Sequence, residues 1–294
     1  MITTNMVLEM SMAGIMVGAV YGLVALGFVT IYRCSGVVNF AQGEFVMLGA
    51  LITMNLLKLG YLPYPVAAVV AVAITTVVGI GVYHVVVAPL RNRSILTLVM
   101  ATLGVSMFIQ NDALVAWGGW PQALPPFTGN VPLRVGNLSV APQSLWVILM
   151  AVFVLVGLYL LNNWTLFGKK MTATATQPLA ASFVGIPRGS MIRWSFAIAA
   201  VIGAVGGLFL AGIVPMYYAS GTDFGLKGFI AAVLGGWGKS TGAVVGGFAL
   251  GIVETFSALV LPTGYTNAIA FLVLIFILYF RPSGILGSSL VEAE

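Results

Sequence analysis

Thr176-Gln177-Pro178-Leu179-Ala180-Ala181-Ser182-Phe183-Val184-Gly185 forms the middle of the one long polar interruption in an otherwise membrane-soluble chain. That interruption, residues 162–193, holds Lys169, Lys170, Arg188 and Arg193, four of the chain's twelve basic residues. Proline is pre-organised for a first helical position, and glycine just past the last turn allows a left-handed cap. The spacing therefore predicts one short, sharply ended helix from Pro178 to Gly185, carried at a membrane face.

Outward from this stretch the chain turns apolar. With 60% hydrophobic and 6% charged residues it is no water-soluble globule, in which about a quarter of residues carry charge. Spans of about twenty apolar residues recur, each long enough to cross about 30 Å of hydrocarbon. Lipid supplies no hydrogen-bond partners, so these spans must be helices; a barrel would show short alternating segments. The expectation is an all-α polytopic bundle forming one domain over residues 1–294. Its spans number about eight or nine, at 7–31, 37–57, 64–88, 95–116, 143–161, 194–214, 226–236, 241–260 and 266–280. The seventh is too short to cross and reads as a half-helix or as one bent unit with its neighbour.

No Lys or Arg precedes the first apolar run, so the start reads as a retained span and not a cleaved signal peptide. If residues 162–193 are cytoplasmic, Arg33, Arg91, Arg93, Lys239 and Arg281 fall on the same side. Lys58 and Arg134 fall outside, and Lys227 near an outer helix start. This satisfies the positive-inside rule and places the N-terminus outside and the C-terminus inside. The net charge of +5 then orients the chain in lipid and implies no nucleic-acid partner. The outer loop, about 117–142, carries Pro121, Pro125, Pro126, Pro132 and Pro142 with Trp117 and Trp120, and reads as a stiff lid or docking surface. Cys34 is the single cysteine and His84 the single histidine, which leaves no disulfide and little room for a metal centre.

Charged and amide groups inside a membrane span each need an explanation, since a charge at mid-bilayer costs about 2.5–3.5 kcal/mol on insertion scales. Asn39, Gln42, Gly43 and Glu44 crowd two amides, a glycine and a carboxylate into six residues of the second span. On a regular helix Asn39 and Gln42 share a face and Glu44 points elsewhere; a break at Gly43 would gather all three into a pathway or gate. The other reading ties Glu44 structurally to Arg33. Glu254 follows Gly247 and Gly251 on one close-packing stripe, which suits a bond to a neighbouring helix. Gly14, Gly18 and Gly22, and Gly203 with Gly207, have the same small-residue spacing. Gln110, Asn111 and Asp112 read as interfacial and partly wet, or else as lining the entrance, Asp223 as a local partner of Lys227, and His84 as one end of an interhelical hydrogen bond. Gly235-Gly236-Trp237-Gly238-Lys239-Ser240 is not a phosphate loop, because Val233 stands where the first glycine must be. No HExxH, no GxSxG and no His-supported nucleophile is present, so no catalytic residues and no metal ligands are assigned.

Together these features resemble the permease subunit of branched-chain amino-acid ABC importers, the LivH-type branch of the hydrophobic amino-acid uptake family. The resemblance runs the whole length. It is carried by Val37-Val38-Asn39-Phe40-Ala41-Gln42-Gly43-Glu44-Phe45, where the Gln42 position is often His in the family. Pro89-Leu90-Arg91 with Thr102-Leu103-Gly104 also carries it, as do Leu226–Gly236, Gly242-Ala243, Gly246-Gly247 and Glu254. The closing Arg281-Pro282-Ser283-Gly284-Ile285-Leu286-Gly287 completes it. The resemblance implies a type II ABC importer permease fold in a bacterial inner membrane. It implies two cytoplasmic ATP-binding subunits that use ATP and Mg, a second permease or a second copy of this chain, and an extracytoplasmic substrate-binding protein. This chain itself would bind no cofactor. Lys169, Lys170, Gln177, Pro178, Ala181 and Gly185 would belong to the loop coupled to the ATPases. Thr172, Gln177, Leu179 and Ser182 depart from the family's more charged pattern there. Urea or short amides are alternative cargoes. An ion-coupled secondary transporter using Glu44 and Glu254 is the rival mechanism, and a passive channel a third, disfavoured because no repeated polar pore-lining helix is visible.

Overall fold

A computed structural model describes residues 4–129, 131, 133–135, 138–259 and 262–287. Met1–Thr3, ahead of the first expected span, and Pro132 of the outer loop lie outside them. The helices are α1 (Thr4–Ser35), α2 (Gln42–Lys58), α3 (Tyr64–Val82), α4 (Ala88–Leu90), α5 (Ile95–Trp117), α6 (Pro142–Trp164), α7 (Leu166–Thr176), α8 (Pro178–Phe183), α9 (Arg188–Leu210), α10 (Ser220–Gly235), α11 (Ser240–Ser257) and α12 (Thr266–Phe280). A π-helical turn, Tyr83–Val87, joins α3 to α4, so 27 residues run on without a break. Among the described residues, six helices are long and apolar enough to cross a membrane. The 15-residue α12 is a shorter apolar helix, and the 17-residue α2 and 16-residue α10 pack among these spans, so short helices stand beside full-length ones, as the sequence predicts. The described strands, β1 (Leu133–Val135) and β2 (Leu138–Val140), form a small antiparallel hairpin in the loop before α6.

Inside lipid the hydrophobic effect does not drive helices together; close packing does, and small residues permit it. The stripe Gly14, Gly18, Gly22 of α1 meets Gly247 and Gly251 of α11 backbone to backbone: a Cβ at Gly251 would stand 2.3 Å from the Gly18 nitrogen. Gly203 and Gly207 of α9 admit α2 in the same way, a Cβ at Gly207 falling 1.9 Å from the Val46 carbonyl. Around these contacts Phe28, Phe45 and Phe196 are fully buried.

Two spans differ from expectation. The second begins at Gln42 and not at 37, because Gly36 takes φ +74° and the chain between it and α2 is irregular. Asn39 turns this stretch by accepting the Ala41 amide on its own side chain at 3.2 Å, while its carbonyl takes the Gln42 amide at 3.1 Å. The seventh begins at Ser220 and stays separate from α11, since Gly236 (φ +113°) and Gly238 (φ +85°) break the chain between them. The closing motif then folds back on α10. Ile285 and Leu286 donate their amides to the Leu234 and Gly235 carbonyls at 2.8 and 3.0 Å, which gives two of that helix's terminal carbonyls their partners.

The bundle has two unlike ends. At one, α7 and α8 lie beside Arg33, Arg188 and Lys239, with Arg91 and Arg93 in the adjoining cavity. At the other, Lys58 donates to Gln122 at 2.7 Å, and Gln122 bridges to Met216. Phe127 stacks on Phe209 at 5.0 Å, and Leu124 is buried, so the proline-rich loop is pinned to that end.

Candidate functional site

The signature Asn39-Phe40-Ala41-Gln42-Gly43-Glu44 straddles the break before α2, and every polar member of it is fully buried. The break is upstream of Gly43. That glycine is helical and serves packing instead: a Cβ there would fall 1.9 Å from the Gly221 carbonyl and 2.6 Å from the Gly225 Cα, at the start of α10. Two helix beginnings therefore meet at Glu44, which lies in the first turn of α2, where the helix dipole favours a carboxylate.

Glu44 makes no tie to Arg33, which reaches the Ser240 hydroxyl at 3.5 Å. Its Oε1 accepts from the Ser106 hydroxyl and the Gln110 amide, both at 2.8 Å. Thr222 stands beside the carboxylate, and its hydroxyl oxygen accepts from the Gln110 amide. One turn lower on α5, Thr102 holds the irregular strand itself, accepting from the Phe40 amide at 3.3 Å and facing the Val38 carbonyl at 3.4 Å. Gln42 donates to the Ala199 carbonyl at 3.0 Å and lies against Gly27, where any side chain would overlap it. What remains is notable in an apolar bundle: Asn39 Nδ2, Gln42 Oε1 and Glu44 Oε2 are buried with no hydrogen-bond partner among the described residues. Native interiors seldom leave such atoms unpaired, and clusters of them call for a function.

Ser106, Gln110 and Thr222 are absent from the sequence-based site. Thr102, Ser106 and Gln110 recur at every fourth position of α5, a polar stripe legible in the sequence; Gln110 faces the site and not the outer interface. Asn111 and Asp112 are exposed.

Glu254 and Lys227 form an ion pair at 2.6 Å between α11 and α10, with the Lys227 Nζ 5.5 Å from the Tyr21 ring centroid. Lys227 thus lies mid-helix, not near an outer helix start, and its partner is not Asp223, which accepts from the Tyr217 hydroxyl at 3.3 Å. Charge pairing four residues apart lost here to a helix–helix partner, because a lysine facing the bundle needs a buried counter-charge. His84 is exposed, meets the Tyr83 ring edge to face at 5.1 Å between centroids, and makes no hydrogen bond among the described residues.

The polar loop folds into two helices, not one. α7 is capped by the Thr165 hydroxyl, which accepts the Gly168 amide at 2.9 Å, and Gly168 lets it press on α6. α8 ends as the sequence predicts: Gly185 takes φ +80°, its amide reaches the Ser182 carbonyl at 3.1 Å, and the Ile186 amide reaches Ala181 at 3.0 Å, a Schellman pair. Ala181 is buried and seats α8 on the bundle. Leu179, Phe183 and Val184 are 76%, 89% and 76% exposed, while Lys169, Lys170 and Gln177 are exposed beside them.

A multi-pass helical bundle with a buried polar site at a broken helix, and an apolar-tipped helix pair at one end, defines a membrane permease. The chain belongs to the family described as branched-chain amino acid transport system / permease component, whose profile matches residues 10–278. It is 30% identical to the high-affinity branched-chain amino acid transport system permease protein LivH of Escherichia coli, with 97% of each chain covered. It is 31% identical, over the same shares, to the corresponding protein BraD of Pseudomonas aeruginosa. Its fold resembles a chain of PsaBC from Streptococcus pneumoniae, solved in complex with Fab (TM-score 0.51, 11% identity, 92% and 91% covered).

Proposed function

We propose that this chain is the membrane-spanning permease subunit of an ATP-driven importer of branched-chain or related neutral amino acids. It forms one permease domain, set in the bacterial inner membrane with the α7–α8 end in the cytoplasm, the N-terminus outside and the C-terminus inside. The gathering of Arg33, Arg91, Arg93, Arg188 and Lys239 at that end supports this orientation. The observation that carries the transport reading is the trio of unpaired buried polar atoms on Asn39, Gln42 and Glu44, at the point where α2 and α10 begin. A passing ammonium, carboxylate or the other state of a gate supplies such atoms with partners, and broken helices are how transporters present them.

In this reading Glu44, Ser106, Gln110 and Thr222 form a latch between α2, α5 and α10, and the glycine contact of Gly43 with Gly221 and Gly225 is its sliding surface. Lys169, Lys170, Gln177 and the exposed face of α8 dock two cytoplasmic ATP-binding subunits, which bind ATP and Mg. A second, homologous permease or a second copy completes the pathway, and an extracytoplasmic binding protein delivers cargo to the loop near Gln122. The chain tagged in its host and purified in mild detergent is expected to carry both ATP-binding subunits and the second permease, identified by mass spectrometry. Recovery of the chain alone, under conditions that preserve ABC complexes, with uptake driven by an ion gradient, overturns the reading.

Glu44→Gln keeps the shape of the side chain and an oxygen for Ser106 and Gln110. The expected result is a folded, fully assembled permease whose leucine uptake falls by about tenfold or more, the equivalent of one lost charge-assisted bond. Loss of assembly instead makes Glu44 a structural tie.

A further inference from the structure

We propose that the groove between α6 and α11 holds an anionic phospholipid from the leaflet on the α7–α8 side. The groove, about 780 Å³, runs over α1 at Leu26 and down to Arg33. Its upper walls are apolar: Leu155 and Val156 of α6 face Val244 and Val245 of α11. Its lower end is polar and basic, with Arg33, Lys239, Asn162 and Asn163, and among the described residues no acidic side chain lines it. A hydrocarbon wall that ends in two cations at one level has the polarity of a lipid and not of a free solute. Basic clefts between membrane helices bind lipid phosphates in this way.

Three further features point the same way. The N-terminus of α11 opens at the basic end with no side-chain cap, so its first-turn amides and dipole add to the attraction for a phosphate. Arg33 spends one weak bond, at 3.5 Å, on Ser240, and Lys239 one bond on the Leu286 carbonyl at 2.8 Å; each keeps donors free for a phosphate oxygen. Thr172 of α7 lines the same end, so the headgroup would touch the helix that precedes α8. The lipid would then brace α7 against α1 and α11.

Native mass spectrometry of the purified permease complex, titrated with phosphatidylglycerol or phosphatidylcholine, tests this. One phosphatidylglycerol retained per chain is expected, with phosphatidylcholine displaced readily. Arg33→Gln with Lys239→Gln is expected to weaken retention roughly thirtyfold. Arg91→Gln with Arg93→Gln, in the other basic cavity, is expected to leave it unchanged. Val245→Trp, on the exposed apolar wall, keeps both charges and is expected to expel the lipid by filling its tail groove. Equal retention by the double variant and wild type overturns the proposal. So does displacement of the lipid by inorganic phosphate alone, which would make this a plain anion site. Disulfide formation between Val156→Cys and Val245→Cys of two chains overturns it too, since the groove would then be covered by a second copy.

Discussion

Deleting residues 178–184 is expected to reduce ATP-driven uptake by about a hundredfold or more, the upper range of coupling between distant sites, while the membrane bundle stays folded. α8 touches the bundle mainly through the buried Ala181, and its exposed Leu179, Phe183 and Val184 contribute little to the bundle's packing. The two costs therefore separate: little stability is lost, but the apolar tip that a partner would grip is gone. Gly185→Pro asks the same question with one residue. Gly185 holds φ +80°, which proline cannot adopt, and the hydrogen bond its N–H donates to the Ser182 carbonyl would be lost. Phe183→Asp is the gentlest form, and an exposed aromatic anchor of this kind is worth at least about 2 kcal/mol at an interface. Detergent extraction and melting like wild type, together with ATP hydrolysis no longer stimulated by cargo, is the expected pair of readings. Normal uptake by the deletion variant would mean that α8 transmits nothing.

The second large effect is structural. Gly251→Leu is expected to leave almost no folded protein, a destabilisation beyond about 4 kcal/mol. The Cβ alone would stand 2.3 Å from the Gly18 nitrogen and 2.4 Å from its Cα, and backbone on both sides has nowhere to go. By contrast Gly104→Leu, on a helix face with open space around it, is expected to leave yield and melting temperature unchanged. Detergent-extracted yield and size-exclusion profile measure both. If Gly251→Leu extracts and elutes as wild type, the α1–α11 contact is not what holds these helices.

Hydropathy located the apolar helices and basic residues the two unlike ends, because span length is set by the bilayer and charge by which face a loop occupies. The Pro178–Gly185 helix was legible because its start and stop are written in local chemistry. Gly43 misled for a physical reason: glycine both breaks helices and lets them touch, and only the position of Gly221 and Gly225 decides between the two. Lys227 and Glu254 were separately conspicuous, yet their pairing depends on how α10 and α11 cross, which no local spacing reports. Ser106 and Gln110 could have been found from their fourfold spacing with Thr102; the apolar context of α5 hid a stripe of three.

The fold-back at the end of the chain bears on how the molecule is made. The carbonyls of Leu234 and Gly235 receive their partners from Ile285 and Leu286, which leave the ribosome after α11 and α12 have been synthesised. At ordinary elongation speeds that interval lasts seconds, far longer than a helix takes to form. α10 must therefore sit unfinished in the membrane through the insertion of its two successors. A nascent chain stopped before residue 285 would present an open helix end to whatever quality control surveys the bilayer.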